Sequence, residues 1–510
     1  MTNLTTISSK KYFVPAVIFI LSFALRLSLI SKGPYHSDCL NLLIQAQNTI
    51  ETHRLHNLFG SGYPLTVILA SAAILLAKIF SFENYTFAVN FVSVIFSSAA
   101  VLMMYAIAKR IFNETAALLA SVMFSVSPMF LGASVYGTSH TICVFFLLLG
   151  VLFLLKYSES NRRNHLVWAA LSLGLMGAAR LQDTILMAVP LSFLYFCGVE
   201  GMKGAGPAAG KNGTIRRYLI FTSTAAAVII FFHGIFLIQS EKTAYLGQLQ
   251  SFYHLGLTEN FMGIFSPRLL FVRNYLIQSL TLGGLIVAIL GLGWMFKSRP
   301  RIAGFFVLWL IVPCLFYGNL HTTVTPRFFI LVLPALILAQ AYVLAALIKT
   351  NRFVKWAVYA VFLGIVLILM SRILPVLSYR HQHALLPEYA EWVATRTPSD
   401  AVIIVTDEYL FIEHYAKRTI LFRPTGIFKV GQDRLMSFKK ELDGLLEKGV
   451  PVYISDVALA AYNWNNYFID FFNEYYDGRS VGTREYEDWH LGEMRHDVYQ
   501  SPLYRVSKRY

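Results

Sequence analysis

Charge is the scarcest property of this chain. Only 14% of its 510 residues are charged, against roughly 25% in a typical soluble domain. With 56% hydrophobic residues and a mean hydropathy of +0.55, that scarcity argues against an ordinary soluble protein. Acids are scarcer than bases, 28 against 43, and the formal net charge is +15. Cysteine is rare too: Cys39, Cys143, Cys197 and Cys314, three of them inside apolar runs. No spacing suggests zinc or a disulfide framework. The first apolar run lacks a small-x-small cleavage site behind it and is read as uncleaved. The absence of an internal repeat counts against the paired-repeat plan of many transporters.

What is abundant is apolar sequence of membrane-spanning length. Runs at 12–30, 87–108, 114–132, 140–157, 218–239, 274–296, 301–318, 328–348 and 354–375 read as spans. The stretch 165–199 is broken by Arg180-Leu-Gln-Asp183 and reads as two passes, 165–179 and 184–199. The expectation is therefore an all-α multi-pass domain of about 11 spans, possibly 12–13, over 1–375, followed by a small outer α/β domain over 376–510. The stretch 63–80 is taken to lie in the interface. On that choice Lys and Arg gather on one side, at Lys10, Lys11, Lys109, Arg110, Arg162, Arg163, Arg216, Arg217, Lys349 and Arg352. Such loops face the cytoplasm. The basic balance is then a topological address, and nucleic acid is not an expected partner. The N-terminus is placed in the cytoplasm and the C-terminal domain outside, in a bacterial inner membrane ahead of an endoplasmic reticulum.

The outer side receives loop 31–86, loop 240–273, and short connections at 133–139, 180–183 and 319–327. In 376–510, the apolar stretches 401–407, 418–423 and 451–456 alternate with two helical patterns, which spells a small α/β layer. The segment 200–217 is rich in Gly and Lys and reads as a flexible linker.

Polar residues near the ends of spans are the candidates for chemistry. Asp38, in "GPYHSDCL", follows the first span closely, where partial desolvation suits a general base; a solvated loop carboxylate is the plain alternative. Glu51, His53 and His56 share its loop. They suit an acceptor or sugar site, or else face headgroups; a metal would need more ligands than they offer. Tyr63 opens the interfacial stretch. Arg26 lies within the first span and must snorkel or pair. Arg180 and Asp183 either face a cavity or pair with each other. His321 and Arg327 stand at the outer end of a span, and an arginine there is either a phosphate fork or an interface anchor. Cationic groups and a carboxylate thus gather on one side of the bilayer, as a lipid-linked phosphate substrate would require.

In order along 1–375, these motifs resemble the GT-C class of integral-membrane glycosyltransferases. The likeness is to the branch of the protein O-mannosyltransferases and the lipid A aminoarabinose transferase. Arg26, Asp38 and "GYPLT" (62–66) match its first span, outer aspartate and following segment. "AKRIFNETAALLASVMFSVSPMF" (108–130), "ARLQDTILMAVP" (179–190) and "TPRFFILVLPALILAQAY" (325–342) match later elements. The chain departs from the pattern at Cys39, where a second acid is usual, and at Asn90, where an arginine often stands.

The resemblance implies transfer of a sugar from a polyprenyl-phosphate donor to a lipid, glycan or protein acceptor outside the membrane. Asp38 is then the base, and Arg327, Arg180, His321 and Tyr63 hold the donor phosphate. Glu51, His53, His56 and Asp183 fall to the acceptor or sugar site. The anomeric centre would invert. No cofactor is expected, and no ligand set supports a divalent metal. The alternatives are a lipid or small-molecule flippase, and an inactive scaffold of the same architecture.

Overall fold

A computed structural model describes residues 3–58, 62–198, 210–239, 268–318, 326–406, 408–424, 431–460, 467–490 and 495–509. Contacts divide the chain into two compact units. The first holds Met1–Ile30 and Leu42–Tyr379; the second holds Ser31–Asn41, Arg380–His490 and Arg495–Tyr510.

The first unit is helical. Its elements are α1 (Asn3–Leu27), α2 (Ser37–Thr52, whose first residues belong to the second unit), α3 (Pro64–Ile79), α4 (Tyr85–Ile111), α5 (Glu114–Val126), α6 (Pro128–Ala133), α7 (Ser139–Ser160), α8 (Arg163–Ala179) and α9 (Leu181–Cys197). There follow α10 (Gly210–Gln239), α11 (Arg268–Leu280), α12 (Leu282–Ser298), α13 (Pro300–Gly318), a 3-10 turn (Pro326–Val332), α14 (Leu333–Leu347) and α15 (Arg352–Gln382). Local chemistry sets several of these starts. The side chains of Asn84, Asn113 and Thr138 accept hydrogen bonds from Phe87, Ala116 and His140, which satisfies amides that a helix start leaves open. Pro64 and Pro128 occupy first-turn positions, where a missing N–H costs nothing.

Six described helices are long and apolar enough to cross a membrane, or seven if the bent pair Arg273–Leu280 and Leu282–Ser298 is one span. The expected count of about 11 is not reached by this measure, for local reasons. The run at 114–132 is divided at Ser127-Pro128, where Ser127 has ψ of 121°, because a residue before proline avoids the helical region. The run at 165–199 divides at Arg180, whose backbone is extended, into two helices of 17 residues. The interfacial stretch is a helix of 16 residues.

Where helices approach closely, glycines leave room. A Cβ on Gly174 or Gly177 of α8 would meet Val228 or Ile229 of α10 within 3 Å. In lipid, where apolar burial alone does not drive association, such backbone approach supplies packing.

The second unit is a mixed α/β layer. The strands β1 (Val402–Val405), β2 (Thr419–Phe422), β3 (Val452–Ser455), β4 (Tyr476–His490) and β5 (Arg495–Lys508) form one sheet in the order β2-β1-β3-β5-β4. β1 runs parallel to both β2 and β3; β5 is antiparallel to β3 and to β4. The three parallel strands fall on the three apolar stretches expected for them. Helices α16 (Leu385–Arg396), α17 (Tyr409–Phe411), α18 (Gln432–Glu447), α19 (Asp456–Ala460) and α20 (Tyr467–Tyr475) complete the unit. Ile404, Leu421, Phe438, Leu442, Ile454 and Phe468 form part of its core.

A candidate active site

The break between α8 and α9 organises a buried polar cluster in the first unit. Arg180 leaves helical geometry, with φ of −156° and ψ of 98°, and Asp183 sits in the first turn of α9. They are only 3% and 4% exposed, and of the two readings open to them from sequence they take the pairing one. Arg180 Nε donates to Asp183 Oδ2 at 2.7 Å. Tyr317, near the end of α13, donates to Asp183 Oδ1. Cys143 Sγ lies 3.4 Å from Asp183 Oδ2. The second guanidinium arm reaches α7: Nη1 donates to Ser139 Oγ at 3.1 Å and lies 3.4 Å from His140 Nε2.

Aromatic rings cover the cation. The guanidinium carbon is 5.2 Å from the Tyr63 ring centre and 5.8 Å from that of Phe328, a range in which a ring face attracts a cation. Phe328 in turn stacks on Tyr317 at 5.1 Å. Tyr63 is held twice. Its backbone is left-handed, with φ of 51° just before Pro64, a conformation uncommon for a large side chain. Its hydroxyl accepts from Gln182 Nε2 at 2.7 Å.

Arg327, beside Phe328 in the 3-10 turn, is half-buried, and its charge acts on His140 together with that of Arg180. Arg180 Nη2 and Gln182 Oε1 are buried with no hydrogen-bond partner. A buried donor without a partner is costly, and here the donor is charged. A phosphate oxygen is an acceptor that would satisfy it.

So the structure brings together Tyr63, Arg180, Asp183 and Arg327. His140, Gln182, Cys143 and Tyr317 join them without having been picked out as site residues. Asp183 serves chiefly as the partner of Arg180.

Glu51 and His53 stand exposed at the end of α2 and just beyond, and His56 Nε2 lies 2.9 Å from Thr52 Oγ1. No hydrogen bond or ion pair described links these three to the Arg180 cluster. His321 lies outside the described residues. Among the described residues, no group of three His, Cys, Asp or Glu side chains could hold a metal ion.

Arg26, fully buried, donates to Ser22 Oγ at 2.7 Å and to Ser125 Oγ at 3.1 Å, and lies 5.4 Å over the Phe130 ring. Hydroxyls and a ring, rather than snorkelling, accommodate its charge.

Asp38 belongs to the second unit and occupies the first turn of α2. Its side chain is 32% exposed. His36 Nδ1 accepts from the Asp38 backbone N–H at 3.0 Å. The 3.6 Å approach of that nitrogen to Asp38 Oδ2 is therefore not an ion pair while Nδ1 is an acceptor.

Residues 67–203 match the family model of dolichyl-phosphate-mannose-protein mannosyltransferases. No curated protein matches the sequence. Among solved structures, the chain is similar to the archaeal oligosaccharyltransferase AglB from Archaeoglobus fulgidus, in complex with an inhibitory peptide and a dolichol-phosphate. The TM-score is 0.57 at 14% identity, over 96% of this chain and 74% of that one. It is also similar to ArnT from Cupriavidus metallidurans bound to undecaprenyl phosphate, with a TM-score of 0.55 at 11% identity over 98% of both chains. The chain shares the membrane fold of these proteins.

Proposed function

We propose that the protein is a membrane glycosyltransferase that moves a sugar from a polyprenyl-phosphate donor to an acceptor outside the membrane. The observation that carries this reading is the Arg180 cluster: a buried arginine, held by Asp183 and Ser139, that keeps one guanidinium N–H without a partner. That is the chemistry a leaving phosphate requires. Arg180 and Arg327 bind the phosphate; Tyr63 and Phe328 flank the guanidinium. Asp183 limits the net charge and fixes the fork of Arg180.

Asp38 is the base in this reading and takes the proton from the acceptor hydroxyl as it attacks the anomeric carbon. The bond to the phosphate oxygen breaks in the same in-line step, and the anomeric centre inverts. Residues 1–375 carry the membrane part, with the N-terminus cytoplasmic, and 376–510 lie on the outer side. Glu51, His53 and His56 are assigned to acceptor recognition; the first two are exposed and His56 partly so.

The test replaces Asp38 with Asn, which keeps the shape and removes the basic oxygen. Glycans and lipids of cells with and without the protein are compared by mass spectrometry to identify the product, and transfer by the variant is then measured. Asp38→Asn should abolish transfer while undecaprenyl phosphate still binds. Unchanged transfer would refute the role of Asp38; no altered glycan or lipid at all would favour a flippase or an inactive scaffold.

A further inference from the structure

The aspartate read as the base follows a segment fastened at Lys32, Gly33 and Tyr35 to the start of the C-terminal region. Both partners belong to the second unit. Arg380, in the last turn of α15, is 2% exposed, and its guanidinium carbon lies 3.5 Å from the centre of the Tyr35 ring. The backbone closes beside it: Lys32 N–H donates to the Arg380 carbonyl at 3.0 Å. Lys32 Nζ reaches Glu388 Oε1 at 3.4 Å, and the same oxygen accepts from Ala384 N–H at 3.2 Å. Gly33 is buried against Ala384, so closely that a Cβ on Gly33 would stand 2.7 Å from the Ala384 Cβ. Ser31 Oγ donates to the Gly33 carbonyl at 3.0 Å and braces the turn from within.

Surface contact alone would not require this arrangement. An arginine carries large rotamer entropy, and burial against the Tyr35 ring fixes it in one place. Gly33 is absent from the glycines with left-handed backbone, so conformational freedom does not explain a glycine there. The close approach of residue 384 does.

We propose that Arg380 and the Gly33–Ala384 contact are positioning elements for Asp38. They make the C-terminal region a clamp that sets where the base stands. This rests on the reading of Asp38 as base. Three residues separate Arg380 from Ala384, and four separate Gly33 from Asp38 along the chain. A shift of the clamp by one side chain therefore passes to the carboxylate with little slack. A misplacement of about 1 Å costs on the order of 100-fold in rate.

The test uses the full-length protein in detergent with undecaprenyl phosphate as the binding probe, alongside the transfer assay. Gly33→Ala drives a methyl into Ala384 without straining the backbone. Its rate should fall about 100-fold, while undecaprenyl phosphate binds within about threefold of wild type, since misplacing a base leaves phosphate affinity in place. Adding Ala384→Gly removes the clash; the remaining contacts, at 3.4 and 3.5 Å, are ordinary. The double variant should return to within about tenfold of wild type, the residual loss being what the extra glycine's freedom allows. Arg380→Lys keeps the charge but not the planar stack and should lower the rate without lowering phosphate binding.

Wild-type rates in Gly33→Ala and Arg380→Lys, with Asp38→Asn inactive, would overturn the clamp alone. An active Asp38→Asn would overturn both readings. Loss of phosphate binding or of the folded protein in Gly33→Ala, not restored by Ala384→Gly, would also overturn the clamp.

Discussion

Replacing Asp183 with Asn tests whether the buried cluster is held by its ion pair. The substitution keeps volume and hydrogen-bonding shape but removes one charge. At 2.7 Å, a unit pair attracts by roughly 6 kcal/mol at an effective dielectric of about 20. Burial offsets part of this, since each ion gives up several kcal/mol of hydration. Both side chains are almost inaccessible, so screening by water and salt does little to reduce either quantity. Removing one partner leaves Arg180 charged and uncompensated, and the expected loss is about 3–5 kcal/mol. Tyr317 and Cys143 lose a charged acceptor in the same step.

The double variant Arg180→Met with Asp183→Leu removes both charges at similar volume. It should be more stable than Asp183→Asn, because no unpaired ion remains. Denaturant titration of the purified protein in mixed micelles reports both. If Asp183→Asn is as stable as wild type, or the double variant less stable than the single one, the pair does not hold the cluster as argued. Undecaprenyl phosphate binding should be lost in the double variant even where stability is kept, which separates the structural from the binding role.

Two other outcomes follow from the packing. Gly291 of α12 faces the Ala339 carbonyl of α14, and a Cβ there would fall well inside contact distance of that oxygen; Gly291→Ala should separate the helices and destabilise by about 1–3 kcal/mol, read from the same titration. In the second unit, burial pushes the Glu408 carboxyl above the ordinary carboxylate range, and hydrogen bonds from Ser455 and Thr406 pull it only part of the way back. The folded state therefore holds this proton more tightly than the unfolded chain. Stability from it is present at pH below the ordinary glutamate range and is lost as pH rises through the folded value. Hydrogen exchange of β1 and β3 should slow as pH is lowered towards that range, after correction for intrinsic exchange, and Glu408→Gln should flatten the dependence; an unchanged slope would refute the assignment.

Much of the architecture was legible because its causes are local. Apolar runs mark helices wherever the surroundings are apolar, and Arg180 interrupts such a run visibly. The parallel strands at 402–405, 419–422 and 452–455 are short β-branched or aliphatic stretches between helical patterns. The hairpin of β4 and β5 escaped notice. Its strands, such as "YDGRSVGTREYEDWH", alternate charged residues with few apolar ones, and only Leu503–Arg505 pair with β3. Among the described residues their few buried apolar side chains, Tyr476, Tyr486, Leu503 and Val506, are too widely spaced to spell an alternating strand, and cross-strand pairing carries the rest.

Of the buried cluster, Tyr63, Arg180, Asp183 and Arg327 could be singled out because a charge or an aromatic at the end of an apolar run is conspicuous. His140, Cys143 and Tyr317 could not, since histidine, cysteine and tyrosine in apolar runs are common. Proximity of Tyr317 to Asp183 depends on how α13 packs beside α9, and of His140 to Arg180 on α7 beside the α8–α9 break. The order of residues fixed where helices form and break, because hydrogen bonds and hydropathy act over a few positions. Which side chains meet across more than a hundred residues was decided by helix rotation and close backbone approach, and these exist only once the chain is packed.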